Sequence, residues 1–235
     1  RLSCRTPSDG GSSRGCEVMI RASALFLATV LGVSAQTTPK LFFSKDFPGS
    51  TPAYMEIQLN AEGVAEYREQ PGEDNPIILK LTVGDSTQIF DLAGRLGHFD
   101  RKLESGLAVA KMGEKTFRWI QGSEVREQKF NYTQEPDAQA LQDWFEKIAD
   151  TAYRFIDLER TAQFDKLGVN RSLLILESQW DRGRLVGQEL FLPLLDKISR
   201  QSAYLNMARE RAAKLAVVFR NPHAKPAAKD NGQAK

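Results

Sequence analysis

The hydrophobic pattern of this chain changes once, from a period of two in its first half to a period of 3.6 in its second. Successive side chains of a β-strand point to opposite faces, whereas one face of a helix recurs every three to four residues. The pattern therefore predicts strands first and helices after them, which is the arrangement of an α+β fold.

Three strands are predicted before the first helix. Residues 53–60 alternate between apolar and polar side chains and end in the turn sequence NAEG. Residues 64–69 return as the second strand of a hairpin, and residues 77–83 form the third after the turn-rich loop QPGEDN. The alternating apolar side chains of the first and third strands are Ala53, Met55, Ile57, Leu59, Ile77, Leu79, Leu81 and Val83.

One amphipathic helix and three more strands follow this meander. Apolar residues recur at helical spacing from Ile89 to Phe99, and Asp85 or Ser86 could cap the first turn. The next strands are predicted in LAVAKM, KTFRWIQ and EVREQKFNY, which are joined by glycine-containing turns. Residues 36–134 are thus predicted to form an antiparallel sheet of about six strands, ordered as three strands, a helix and three strands.

The pattern beyond Pro136 is helical. A long apolar stripe from Leu141 to Ala162 predicts one helix, which Gly168 ends, and three shorter stripes predict further helices. Pro193 is expected to start or kink its helix. Residues 135–220 are therefore predicted to hold about four helices that pack on the sheet or on one another. Residues 221–235 read as a disordered tail.

Residues 19–35 have the three parts of a cleavable signal peptide. Arg21 gives a positive segment, an apolar run extends from Ala24 to Val33, and small residues lead to a cleavage point after Ala35. The run is too short to cross a bilayer as a helix, so we expect no stable membrane insertion after cleavage. Residues 1–18 are interpreted as upstream sequence translated from a misplaced start, with an extended signal peptide as the alternative. The predicted location is secreted or periplasmic.

Cleavage would change the charge and the thiol content. The sequence has 32 basic and 30 acidic residues, and four basic and two acidic residues precede the cleavage point, which leaves 28 of each sign. A neutral chain has no overall field that attracts nucleic acid, so no nucleic-acid partner is expected. Cys4 and Cys16 would also be removed, so no disulfide could hold the remainder together.

Few residues of the remainder could carry chemistry. His223 lies in the predicted tail, and His98 is interpreted as a cap or surface residue at a helix end. Without thiols, a Cys/His zinc site and a cysteine nucleophile are excluded. Residues 73–75 lack the spacing of a calcium loop and read as a turn. Glu56 and Glu66 could face each other across the first hairpin, although a solvated sheet face explains them better. We predict no catalytic, cofactor-binding or metal-binding residue.

Four aromatic residues form the candidate interaction surface. They lie in the two strands of the second hairpin, with basic residues interleaved, and such an arrangement on a sheet can stack against a ligand. The alternative is that they belong to the core beneath the helices. The four are Phe117, Trp119, Phe130 and Tyr132.

The stretch PGSTPAYMEIQLNAEGVAEY contains a proline, an alternating strand with a tyrosine, a glycine in the turn and a tyrosine on the returning strand. It resembles the opening hairpin of a domain of unknown function in uncharacterised exported bacterial proteins, to which the later ARERAAKL is also similar. The resemblance implies no known activity and no catalytic residue.

These observations predict an exported, non-catalytic binding or structural protein of the bacterial envelope or exterior, whose partner is another exported protein. A carboxylate-dependent hydrolase and an inhibitor of an extracellular enzyme are the alternatives. No cofactor is expected.

Overall fold

The computed structural model of the protein describes residues 37–221, which belong to one compact unit. The predicted signal peptide, the segment before it and residues 222–235 of the predicted tail lie outside the described residues.

Six strands form one antiparallel sheet in the spatial order β4-β3-β2-β1-β5-β6, and five α-helices accompany it. The α+β class and the six-stranded antiparallel sheet are confirmed, and four of the helices follow the last strand. The strands are β1 (Lys40–Asp46), β2 (Tyr54–Asn60), β3 (Val64–Arg68), β4 (Ile77–Lys80), β5 (Glu114–Gln121) and β6 (Glu124–Phe130). The helices are α1 (Val83–Arg95), α2 (Pro136–Phe164), α3 (Val169–Asp181), α4 (Leu192–Arg200) and α5 (Asn206–Phe219).

The predicted order of three strands, a helix and three strands is wrong, because four strands precede α1 and two follow it. The sequence analysis missed β1, whose alternation is obscured by Phe42. This residue is apolar although it lies on the opposite face from the buried Leu41 and Phe43.

Residues 107–112, predicted as a strand, form an exposed segment without strand pairing. β1 and β6 occupy both sides of β5, so no place beside β5 is left for another strand. The Asn131 side chain holds the segment instead: its Oδ1 accepts from the Met112 amide at 2.8 Å and its Nδ2 donates to the Ala110 carbonyl at 3.0 Å.

Helix α1 begins earlier than predicted. The Thr82 hydroxyl caps it by accepting from the Asp85 amide at 3.1 Å, so the predicted caps at Asp85 and Ser86 lie inside the helix. Val83, predicted to point inward from a strand, is the first helical residue and is 82% exposed. After Arg95 the backbone leaves the α-helix, and His98 and Phe99 adopt left-handed conformations with φ of 53° and 66°.

Two hydrophobic cores are built on helix α2. Its first half packs with α1 on one face of the sheet, where the Phe145 ring stacks on Phe43 with 5.0 Å between centroids. Its second half, from Leu158, packs with α3, α4 and α5 in the other core. The buried Tyr204 hydroxyl ties this second core to α2 by donating to the Ala162 carbonyl at 3.0 Å. The helices therefore pack both on the sheet and on one another.

Candidate functional site

The candidate aromatic surface lies mostly in the first core. Phe117 is fully buried, Phe130 is 2% exposed and Trp119 is 6% exposed, while Tyr132 is half-buried just beyond β6. The Phe117 ring contacts Phe99 at 5.3 Å and Phe130 at 5.1 Å between centroids. These aromatic rings are packing groups beneath α1 and α2, as the core alternative states, and three of the four are not accessible to a partner.

His98 lies against the same core from outside. Its ring is 4.1 Å from the Trp119 ring between centroids, so the imidazole covers one edge of the aromatic cluster. The expected role as a helix cap does not apply, because α1 has already ended at Arg95.

Glu56 and Glu66 lie on the same face of the first hairpin, as the sequence analysis considered, but Arg68 lies between them. Its Nη2 is 2.7 Å from Glu66 Oε2 and its Nη1 is 3.9 Å from Glu56 Oε1. Glu56 also accepts from the Tyr54 hydroxyl at 2.7 Å. Two carboxylates held by one guanidinium are not arranged as a general acid and base.

Residues 73–75 form an exposed turn. In the part of the chain that the structure describes, no three His, Cys, Asp or Glu side chains come close enough together to hold a metal ion.

The sheet face opposite α1 and α2 is the first candidate site, which we name the open sheet face. Because the strands pair in register, every second residue of each strand contributes to it. Its side chains are mostly half-exposed or exposed, and several of its charged ones pair with one another. It contains five cations and five acids and is formed by Lys40, Phe42, Ser44, Asp46, Tyr54, Glu56, Gln58, Asn60, Val64, Glu66, Arg68, Ile78, Lys80, Glu114, Thr116, Arg118, Ile120, Val125, Glu127 and Lys129.

Charges on the open sheet face cancel locally. The Arg118 guanidinium lies over the Phe42 ring, 4.6 Å from its centroid, and its Nη2 is 2.5 Å from Glu127 Oε2. Burial and the hydrogen bond to Glu56 raise the pKa of Tyr54 above its ordinary value, so this hydroxyl stays a neutral donor at physiological pH. The face is consequently mostly polar and has no net charge, with an aromatic ring near its middle.

A cleft of about 450 Å³ between the sheet and α2 is the second candidate site, which we name the charged cleft. The loop between β1 and β2 forms one wall, and the exposed side of α2 forms the other. Its ionisable side chains come from β1, β3, α2 and the segment after α3. They are Lys45, Tyr67, Glu146, Asp150, Tyr153, Arg154 and Arg184.

The acids of the charged cleft pair with its cations. Arg184 Nη2 donates to Asp150 Oδ2 at 2.8 Å, and its Nη1 donates to Asp143 Oδ1 at 2.5 Å. Burial alone would lower the pKa of Arg184, but these hydrogen bonds outweigh it and raise the pKa. Lys45 Nζ lies 3.7 Å from Glu146 Oε1. A carboxylate that is engaged by a cation in this way is poorly suited to proton transfer.

The sequence analysis missed the charged cleft. Lys45, Arg154 and Arg184 belong to three elements far apart in the sequence, and no local motif links them. The one available signal was on α2, where Glu146, Asp150 and Arg154 recur every four residues and so share a helix face.

Comparison with known proteins gives no match: no family model, no curated protein and no solved structure matches this chain. The resemblance of the opening hairpin to exported bacterial proteins therefore stays a prediction. Within residues 37–221, no helix is both long enough and apolar enough to cross a membrane.

Proposed function

We propose that this chain is an exported, non-catalytic binding protein of the bacterial envelope or exterior, and that it engages a partner protein through the open sheet face. The observation that carries the proposal is a complete six-stranded sheet with its helices α1 and α2 on one side, which leaves the other side as a continuous surface.

The size of this surface suits a protein partner. Six strands about 4.8 Å apart and about seven residues long, at about 3.4 Å per residue, cover roughly 600 Å². A stable protein interface takes about 800 Å² from each partner, so the face and its rim provide most of that area.

The chemistry of the face also favours a protein. Its five cations and five acids balance, so it has no net charge that attracts phosphate groups. The Phe42 ring, Ile120 and the amide of Gln58 offer the mixture of apolar and hydrogen-bonding groups that protein interfaces use.

The ion pairs of the acidic side chains support a non-catalytic role. Glu56 and Glu66 share Arg68, and the cleft acids Glu146 and Asp150 face Lys45 and Arg184. A carboxylate-dependent hydrolase needs two carboxylates in different environments, one of them free to give or take a proton.

Binding by the face is tested with charge-introducing variants. Immobilised full chain is used to isolate proteins from the envelope of the producing cells, and the isolated partner is purified and titrated. Gln58→Lys and Ile120→Lys each add a positive charge to the neutral face and should each weaken binding at least about tenfold.

The matched controls are Leu174→Lys and Val217→Lys, which introduce the same charge on exposed helical positions that are 51% and 69% exposed. They should leave the affinity within about twofold. If the partner binds the face variants as tightly as the unaltered chain, or if no partner binds specifically, the proposed surface is wrong.

Export is tested separately by cell fractionation and amino-terminal sequencing. The proposal expects a mature chain that begins at Gln36, outside the cytoplasm. Ala35→Arg should block cleavage because the position before the cut needs a small side chain, whereas Ser34→Ala should not. An uncut chain that stays in the cytoplasm would contradict export.

A further inference from the structure

Within residues 37–221, the charged cleft contains one cation that has no acidic partner. Among the described residues, Arg154 forms no ion pair and no hydrogen bond, whereas Arg184 and Lys45 each face a carboxylate. Its guanidinium lies over the neighbouring Tyr153 ring, 4.6 Å from the centroid.

The neighbouring acid is paired with Arg184 instead of Arg154, although the spacing would allow a pair with Arg154. Asp150 lies one helical turn before Arg154 on the same face of α2, where an i,i+4 ion pair would be usual. Asp150 Oδ2 instead accepts from both Nε and Nη2 of Arg184, at 3.1 and 2.8 Å. Because Asp150 is hydrogen-bonded to Arg184, the Arg154 guanidinium is available to a ligand.

The charge of the cleft indicates which ligand it would accept. Three cations and two acids line it. Asp143, which contacts Arg184 from outside the lining, is also paired with Lys147 at 2.8 Å. Among the lining side chains the surplus is thus a single positive charge. A carboxylate neutralises it, whereas a phosphate dianion would bring excess negative charge close to Glu146 and Asp150.

We propose that the charged cleft binds a small organic molecule through one carboxylate, which Arg154 receives in the paired hydrogen bonds that guanidinium groups form with carboxylates. The body of the ligand lies along the apolar wall of Pro52, Met55 and Ala149. A cleft of about 450 Å³ is within the size range of small-molecule sites. This site is separate from the open sheet face and does not depend on it.

The test uses two carboxylate probes, benzoate and N-acetylglycine, each titrated calorimetrically into the full chain. At least one should bind with a dissociation constant of about 1 mM or tighter. Arg154→Gln should weaken that binding at least about tenfold, and Arg171→Gln, on an exposed position of α3, should leave it unchanged. Benzamide, which has the shape of benzoate without its charge, should not bind.

Other outcomes decide against the proposal. The proposal is overturned if neither carboxylate binds at roughly 20 mM, about 20-fold above the expected dissociation constant. Equal binding of benzoate to the Arg154→Gln variant, or tighter binding of phenyl phosphate than of benzoate, also overturns it. If Arg154→Gln fails to fold, Thr51→Trp serves as the second variant. The indole ring fills the cleft from the exposed loop between β1 and β2, so this variant should not bind the carboxylate. Unchanged binding by Thr51→Trp would overturn the proposed site.

Discussion

At the scale of single residues, Thr151 shows how one hydroxyl joins two parts of the chain. It is fully buried in the middle of α2, where its Oγ1 donates to the Lys147 carbonyl at 2.9 Å and accepts from the Val186 amide at 3.1 Å. The Thr151 hydroxyl therefore binds the backbone of the segment that contains Arg184, a residue of the charged cleft.

Thr151→Val keeps the shape of the side chain and removes the acceptor. The buried Val186 amide then loses its partner, so the free energy of unfolding should fall by about 1–3 kcal/mol, measured by urea denaturation. Thr87→Val, the same change at an exposed position of α1, should change it by less than about 0.5 kcal/mol. Equal effects at the two positions would contradict this role of Thr151.

Tyr67 gives the protein a predictable response to alkaline pH. It is 1% exposed, and its hydroxyl donates to Glu69 Oε1 at 3.1 Å. Burial and the Glu69 carboxylate raise its pKa above the ordinary value of 10.0. Above pH 10 the unfolded chain therefore loses this proton while the folded chain retains it, so stability falls as the pH rises.

Tyr67→Phe removes this titration. The unaltered chain should be more stable than the variant at pH 8, and the advantage should shrink by up to about 1.4 kcal/mol for each pH unit above 10. Urea denaturation of both proteins between pH 8 and 11 measures the difference. A difference that stays constant over this range would mean that the Tyr67 pKa is not raised.

At the scale of elements, the packing of α2 on the sheet depends on one aromatic stack. Phe145 stacks on Phe43 and lies 6.0 Å from Phe117 between ring centroids, and all three are fully buried. Phe145→Ala should lower the free energy of unfolding by about 3–5 kcal/mol, because it removes buried apolar surface and leaves a cavity.

The control is Phe164→Ala at the end of the same helix, where the ring is 77% exposed. It should change stability by less than about 0.5 kcal/mol. Thermal and urea unfolding of the two variants measure the contrast. If both are equally destabilised, the loss reflects helix α2 itself rather than its contact with the sheet.

The elements also show where sequence patterns are informative. Helix α2 was predictable because its apolar stripe repeats over many turns, and β2 because its alternation is unbroken. Strand β1 was missed because Phe42 lies on the open sheet face, where it supports Arg118 rather than the core. Residues 107–112 were predicted wrongly because their apolar composition is that of a strand, while both positions beside β5, the next strand, are taken by β1 and β6.

The candidate sites were less predictable than the fold. The open sheet face follows from alternation once the strands are known, but its central residue, Phe42, belongs to the missed strand. Lys45, Arg154 and Arg184 come together in the charged cleft only through tertiary packing. The hydrophobic periodicity of the sequence contains no information about this proximity. Conversely, three of the four aromatic residues that were the sequence candidates for binding are in the core, because α1 and α2 cover that side of the second hairpin.

At the scale of the whole molecule, the two cores share helix α2. Breaking one core would expose half of a helix that the other core needs, so both should unfold together. Trp119 and Trp144 report on the first core, and Trp180 reports on the second.

Variants that keep only Trp119 or only Trp180, with the other tryptophans changed to Phe, separate the two signals. Their urea unfolding curves, each compared with circular dichroism of the same variant, should have coincident midpoints. A Trp180 signal that is lost before the helical signal would show that α3–α5 unfold independently.

The measurement that tests the proposed binding surface most directly is photo-crosslinking in the cells that produce the protein. Benzoylphenylalanine is placed singly at Gln58 or Ile120 on the open sheet face, and at Leu174 or Val217 on the helices. We predict a discrete crosslinked protein from the two face positions and none from the helical positions. Crosslinks that arise only from the helices, or equally from both surfaces, would contradict the assignment of the open sheet face as the binding surface.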